Sequence, residues 1–204
     1  MEKITPEYII EKLSSPGIND EISSDHRTKA AVLIPLFQEN KIWKVLFTRR
    51  SQTVQDHKGQ VSFPGGAFEW IDKDLEATAL RETEEEIGIP KSKIRVLGRL
   101  EPFLSISNYL ITPVVGMIEF PFQVRLAEEE VEHVFSARLD WLADPRNYEE
   151  RDYIRSTGSI EKVIFYNDID GELLWGITAR ILLRFIGKLI KQEKSSPPKA
   201  AFSQ

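Results

Sequence analysis

Residues 65–89 read Gly-Gly-Ala-Phe-Glu-Trp-Ile-Asp-Lys-Asp-Leu-Glu-Ala-Thr-Ala-Leu-Arg-Glu-Thr-Glu-Glu-Glu-Ile-Gly-Ile, and the rest of the chain is organised around them. A glycine pair opens the stretch, a short acidic loop follows, and helix formers then run from Leu75 to Ile87. Asp72 or Asp74 can cap the start. Gly88, with Pro90 just beyond, suits the left-handed residue that often closes a helix. Within the helix, Glu82, Glu85 and Glu86 stand at i, i+3 and i+4 and so project from one face, about one turn apart. Ala79, Leu80, Thr83 and Ile87 fall on other azimuths and can lay the helix against a core. Three neighbouring anions repel one another, and a hard divalent cation with oxygen ligands is the natural counter-charge. Arg81, four residues before Glu85, is the other cation at hand and can steady that carboxylate. The plain alternative is an ordinary solvated acidic face.

The spacing of fixed residue types argues against that alternative. The stretch resembles the signature of the Nudix hydrolases, G-x5-E-x7-R-E-U-x-E-E-x-G-U, where U is a bulky aliphatic residue. Gly66 matches the opening glycine, and Arg81-Glu82, Glu85-Glu86 and Gly88-Ile89 match the distal half. Three departures stand out: Asp72 in place of the first Glu, one extra residue between Asp72 and Arg81, and Thr83 at an aliphatic position. The resemblance implies an α/β fold in which a mixed β-sheet is sandwiched between α-helices. It also implies hydrolysis of a phosphoanhydride that depends on a divalent metal, Mg²⁺ or Mn²⁺. On that reading Glu82 and Glu86 are direct metal ligands, and Glu85 is a ligand or the residue that orients water. The Gly66 carbonyl completes the coordination shell, and Arg81, Glu82 and Glu85 form the catalytic group.

Directly upstream, Arg49, Arg50, His57 and Lys58 concentrate positive charge, a reasonable arrangement for holding a phosphorylated molecule beside an anionic metal platform. The residue order here resembles the extra motif of the coenzyme A pyrophosphatase branch, L-L-T-x-R-S-x3-R-x3-G-x3-F-P-G-G. Thr48, Arg50, Ser51, Gly59 and Phe63-Pro64-Gly65-Gly66 match in register, whereas Gln55 occupies the place of the second arginine. The resemblance implies substrate contacts from Arg50, Ser51, His57, Gly59, Phe63 and Gly65. The implied reaction cleaves coenzyme A or its thioesters to adenosine 3′,5′-bisphosphate and 4′-phosphopantetheine. Other Nudix substrates (ADP-ribose, dinucleoside polyphosphates, nucleoside triphosphates) and a non-catalytic nucleotide sensor are the alternatives.

Composition bounds these readings. The chain has 204 residues, 41% hydrophobic and 29% charged, which is enough for one sizeable domain with a core. Its net charge of −5 gives no general attraction to nucleic acid or anionic membranes, so a phosphorylated small molecule must be held by local cations or metal. There are no cysteines, which excludes disulfides and thiolate metal sites. No uncharged apolar run approaches the ~18 residues of a membrane span, and the N-terminus lacks a signal-peptide core. A cytoplasmic location is the default expectation, and a homodimer is left open.

Along the chain, Thr5-Pro6-Glu7 reads as cap, first-turn proline and first-turn acid of a short helix ending near Leu13. The division expected is a helix and loop over 1–29 lying on the domain, a hydrolase domain over 30–191, and a flexible tail over 192–204. Ala30–Phe37 and Ile42–Arg49 read as a strand hairpin, with Pro35 tolerable only at an edge or bulge. Two strands follow within 94–120. Ala127–Phe135 reads as a short helix whose apolar face is Val131, Val134 and Phe135, and one of Glu128, Glu129, Glu130 or Glu132 is a candidate extra carboxylate. Leu139–Leu142 reads as a strand end, 146–160 as an irregular flap and Val163–Tyr166 as a strand. A last helix reaches Ile190.

Overall fold

The computed structural model describes residues 4–14, 27–54, 57–106, 108–154 and 158–190. Gln55, the expected tail and parts of the expected N-terminal loop and flap lie outside these described residues. Helix α1 (Pro6–Leu13) begins where the sequence places it, with the Thr5 hydroxyl accepting from the Tyr8 N–H. It is fastened to the domain by one buried side chain and two long-range hydrogen bonds. Ile9 is fully buried, the Trp43 indole donates to the Ile4 carbonyl, and the Tyr8 hydroxyl donates to the Leu189 carbonyl.

The centre is a mixed sheet built on β1 (Thr28–Glu39), β2 (Ile42–Arg50), β3 (Val61–Ser62) and β4 (Gly65–Ala67), with β5 (Ile94–Arg99), β6 (Phe103–Leu104), β7 (Tyr109–Ile118) and β8 (Val131–Arg138) completing it. Its spine runs β3-β2-β1-β7-β5, with β4 also on β1, β6 on β7 and β8 on β2. Among the described residues of this sheet only the β1–β7 pairing is parallel. The continuous apolar run of β1 follows from burial on both faces. Ala31, Leu33 and Phe37 join the core beneath helix α2 (Leu75–Ile87), and Ile34 and Leu36 join the core on the opposite face. Pro35 is tolerated in this central strand for a specific reason. The Leu33 N–H points toward β4 and donates to the Pro64 carbonyl, so the Pro35 nitrogen points the same way. It falls between the residues paired with β4 (30–32) and those paired with β2 (36–39), where no donor is required.

The opposite face is covered by α1, the short α3 (Leu139–Leu142) and α4 (Gly176–Ile190), whose Ile181, Leu182, Phe185 and Ile186 are buried. A separate hairpin, β9 (Tyr148–Ile154) and β10 (Ile160–Tyr166), lies against α4.

Three sequence expectations are corrected. The segment 127–135 is not a helix: 128–130 form a turn and Val131 opens β8. The helix-like spacing has a physical origin. Arg49 pairs with His133 but Arg50 with Val131, so Glu132 is an extra, bulged residue. The bulge sets Val131 and Val134 on the α2 face three residues apart, while Phe135 joins the other core. The segment 139–142 is a helical turn rather than a strand end, and the described part of 146–160 is mostly regular strand.

Candidate active site

Helix α2 is locally determined at both ends. Asp74 accepts from the Ala77 N–H at 2.8 Å, and Gly88 closes the helix at φ 69° with its N–H on the Glu84 carbonyl. Leu75, Thr78, Ala79, Thr83 and Ile87 are buried, which fixes the rotation of the helix. Thr83, at the aliphatic position, satisfies its hydroxyl on the Ala79 carbonyl at 2.7 Å, so it stays buried without an orphan polar group.

That rotation brings the carboxylates into three different environments. Glu86 is only 3% exposed, Glu82 is largely covered, and Glu85 is solvent-facing. Burial pushes the Glu86 carboxyl up to about 8, reinforced by the negative charges of Glu82 and Glu130 and opposed by Arg50 and the Gly65 N–H. Glu82 is raised by burial too, against the pull of Arg81, with Glu85 and Glu130 adding to the rise. Glu130, from the turn before β8, therefore acts on both inner carboxylates. It is the one of the four candidate acids that the sequence spacing could not single out. The Ser51 N–H donates to its backbone carbonyl at 2.8 Å and ties that turn to the end of β2.

Arg81 is the hub of the outer half. Its Nε and Nη2 grip the two oxygens of Asp72 at 2.9 and 3.0 Å, and Nη2 also donates to the Ala67 carbonyl. Nη1 reaches Glu82 and Glu85, each at 2.8 Å. Asp72 further accepts from the Glu69 N–H and the Thr78 hydroxyl, and the Arg81 guanidinium is the main reason its carboxyl is held down at about 2. The shorter acid and the extra residue still produce a two-pronged ion pair.

The glycine pair places backbone where carboxylates must come close. A Cβ on Gly66 would lie 2.5 Å from the Glu82 carboxyl carbon, whereas one on Gly65 would lie 2.4 Å from the Ala31 carbonyl oxygen and 2.6 Å from the Val32 Cα. Different outcomes are expected from the two alanine variants. Gly66→Ala needs only the Glu82 side chain to move, so circular dichroism and melting should stay near wild type while turnover collapses. Gly65→Ala forces β4 off β1 and should lose about 1–3 kcal/mol in denaturant unfolding.

Among the described residues no three His, Asp or Glu side chains are drawn together as a finished metal cage. Yet the donor set fits a hard divalent cation. Glu82, Glu86, Glu130 and the Gly66 carbonyl offer only oxygen, and the buried Glu86 lies beside two further acids. Two open clefts of about 380 and 440 Å³ run along α4, lined by residues such as Tyr148, Leu183 and Arg184. Neither is lined by a residue of the acidic platform.

The expected substrate residues are divided by the structure. Arg50, the last residue of β2, is near enough for its charge to favour the ionised Glu86, and its Nε is buried without a partner. Ser51 is buried with its hydroxyl bonded to Thr53, a turn-forming role. His57 is exposed and bonded to Gln60, and Gly59 has the left-handed φ of 61°. Phe63 is 4% exposed and stacked on Phe47 at 5.2 Å, so its ring belongs to the core.

Comparison with known proteins agrees with this arrangement. The NUDIX domain family matches residues 27–157. The chain is 41% identical over 159 residues to an uncharacterised Nudix hydrolase, NudL, of Photorhabdus laumondii, covering 78% of this chain and 83% of the relative. It is 38% identical over 181 residues to NudL of Escherichia coli O139:H28, covering 88% and 92%. A MutT/Nudix family protein from Enterococcus faecalis superposes with a TM-score of 0.54 at 13% identity, over 88% of this chain and 68% of that one, and shares the fold.

Proposed function

The chain belongs to the Nudix hydrolase family, and from that premise we propose that it is a divalent-metal-dependent pyrophosphohydrolase of coenzyme A or its thioesters. Enzymes of this family act on phosphoric anhydride bonds. The observation that carries the catalytic reading is the buried Glu86 carboxyl, pressed by Glu82 and Glu130 and opposed by Arg50. A divalent cation, when bound there, would supply withdrawal of charge from the diphosphate oxygens and a lowered pKa for a water. Glu82, Glu86, Glu130 and the Gly66 carbonyl are the groups that would hold it. The role of orienting water and accepting its proton falls to Glu85 on this reading, supported by its solvent exposure and by the anchoring of one oxygen on Arg81. Arg81 bridges Glu82 and Glu85 through Nη1 and fixes both, while Asp72 keeps Arg81 itself in place.

The coenzyme A assignment is supported by the motif around Thr48, Arg50, Ser51 and Gly59, and by Arg50 being near enough for its charge to favour the ionised Glu86. A diphosphate on the platform brings its non-bridging oxygens toward that guanidinium, and a charge-assisted bond is the suitable use of its unpartnered Nε. The products would be adenosine 3′,5′-bisphosphate and 4′-phosphopantetheine or its acyl form.

Chromatographic product analysis with Mg²⁺ and a panel of coenzyme A, acetyl-coenzyme A, ADP-ribose, a diadenosine polyphosphate and dGTP tests this reading. Adenosine 3′,5′-bisphosphate from the coenzyme A samples is expected. Cleavage of another member alone would keep the platform and discard coenzyme A. Binding without any cleavage would make the protein a nucleotide sensor.

A further inference from the structure

On the sheet face opposite α2, one residue back from the end of β2, a second charged cluster stands outside the catalytic platform. Glu172, in the turn before α4, accepts from Arg49 Nη1 at 2.9 Å on one oxygen and from His133 Nε2 at 2.8 Å on the other. Arg49 and His133 are cross-strand partners on β2 and β8. Their exposure is graded in an informative way: the Glu172 side chain is 12% exposed, that of Arg49 27% and that of His133 42%. The carboxylate thus sits inside and holds the two nitrogen-bearing groups outward. Such an acid pre-orients a guanidinium whose remaining N–H groups can serve a ligand. The turn bearing His57, Lys58 and Gly59 lies directly over it, with Arg49 Nη2 3.4 Å from where a Gly59 Cβ would be. Strand alternation completes the picture. Phe47 and Arg49 point to one face and Arg50 to the other, so one strand end offers a cation on each side of the sheet.

We infer that Arg49, positioned by Glu172 and flanked by His133, is a subsite for a phosphomonoester on the nucleoside part of the substrate, separate from the diphosphate held on the α2 face. The inference rests on the pyrophosphohydrolase reading and deepens it. A nucleoside whose 5′-phosphate belongs to the scissile diphosphate and whose ribose carries a second phosphate can engage both cations of this strand end. One charge-assisted contact of this kind distinguishes a ligand that has the phosphate from one that lacks it by roughly tenfold or more.

The test compares binding of adenosine 3′,5′-bisphosphate and AMP to the full chain in Mg²⁺ by titration calorimetry. Wild type should prefer the bisphosphate by at least about tenfold. The preference should fall toward unity in Arg49→Gln and shrink in Glu172→Gln, which can no longer anchor both donors as a charge. A wild type without preference, or an Arg49→Gln that keeps it, overturns the inference. Circular dichroism of both variants separates this effect from a loss of fold, and since Glu172→Gln can loosen its turn, Arg49→Gln decides. Coenzyme A cleavage is read independently. A protein that prefers the bisphosphate but cleaves no coenzyme A overturns the proposed substrate and leaves the subsite standing. Cleavage without the preference does the reverse.

Discussion

Glu86→Gln is expected to cut turnover at least ~100-fold, as for other losses of a transition-state electrostatic group, and to raise the melting temperature of the chelated protein. Both effects have one cause. Glu86 is buried on α2 between Glu82 and Glu130, and Arg50 on β2 is the cation that offsets them. Without metal this carboxyl is a liability to the fold, and the neutral amide of the same shape removes it. The pH dependence has a definite sign. The native carboxyl titrates at about 8 against an ordinary 4.5, so between these values the native state holds a proton that the unfolded state has released. Stability of the chelated wild type should therefore fall as pH climbs through that window, and this contribution should vanish in Glu86→Gln. Divalent cation should raise the melting temperature of wild type and leave the variant nearly unmoved. A folded variant with near-wild-type turnover would sink the ligand assignment.

Much of the platform was legible in the sequence because helix geometry is local. Once Asp74 and Gly88 fix the ends of α2, the spacing of Glu82, Glu85 and Glu86 sets their azimuths. Spacing did not reveal how unequal the three are. Which glutamate is buried depends on what packs over the helix, and here the turn at 128–130 packs near Glu86, with the Ala127 N–H on the Glu86 carbonyl. Selection of Glu130 among four acids was beyond one-dimensional reading for the same reason, because it depends on how that turn meets β2. The mistaken helix at 127–135 shows how a tertiary feature can imitate a local one. A single bulged residue, Glu132, turns period two into an apparent period of three. The Arg49–Glu172 pair joins residues 123 apart in the chain, and no motif links them.

The second large effect is expected at Asp72. This acid touches no substrate in the proposed mechanism, yet Asp72→Ala should cost about 2–3 kcal/mol of stability, the size that a carboxyl held at about 2 against 3.8 implies, with Glu82 and Glu85 still beside Arg81. Its side chain is 3% exposed and that of Arg81 is 13% exposed, so the guanidinium left behind has little access to water. Asp72→Asn, which keeps an oxygen acceptor, should fall between wild type and alanine. The acid limb of the stability curve gives an independent check. The native carboxyl is held at about 2 against an ordinary 3.8, so its contribution is fully present above 3.8 and is lost as pH falls through 2. Wild type should lose stability across that interval by a contribution missing from Asp72→Ala. Turnover should fall along with stability, because Arg81 released from Asp72 no longer holds Glu82 and Glu85 in fixed positions. Measured well below the variant's melting temperature, a fully active Asp72→Ala would show that Arg81 keeps its place without its anchor. The two-pronged pair would then serve the fold alone.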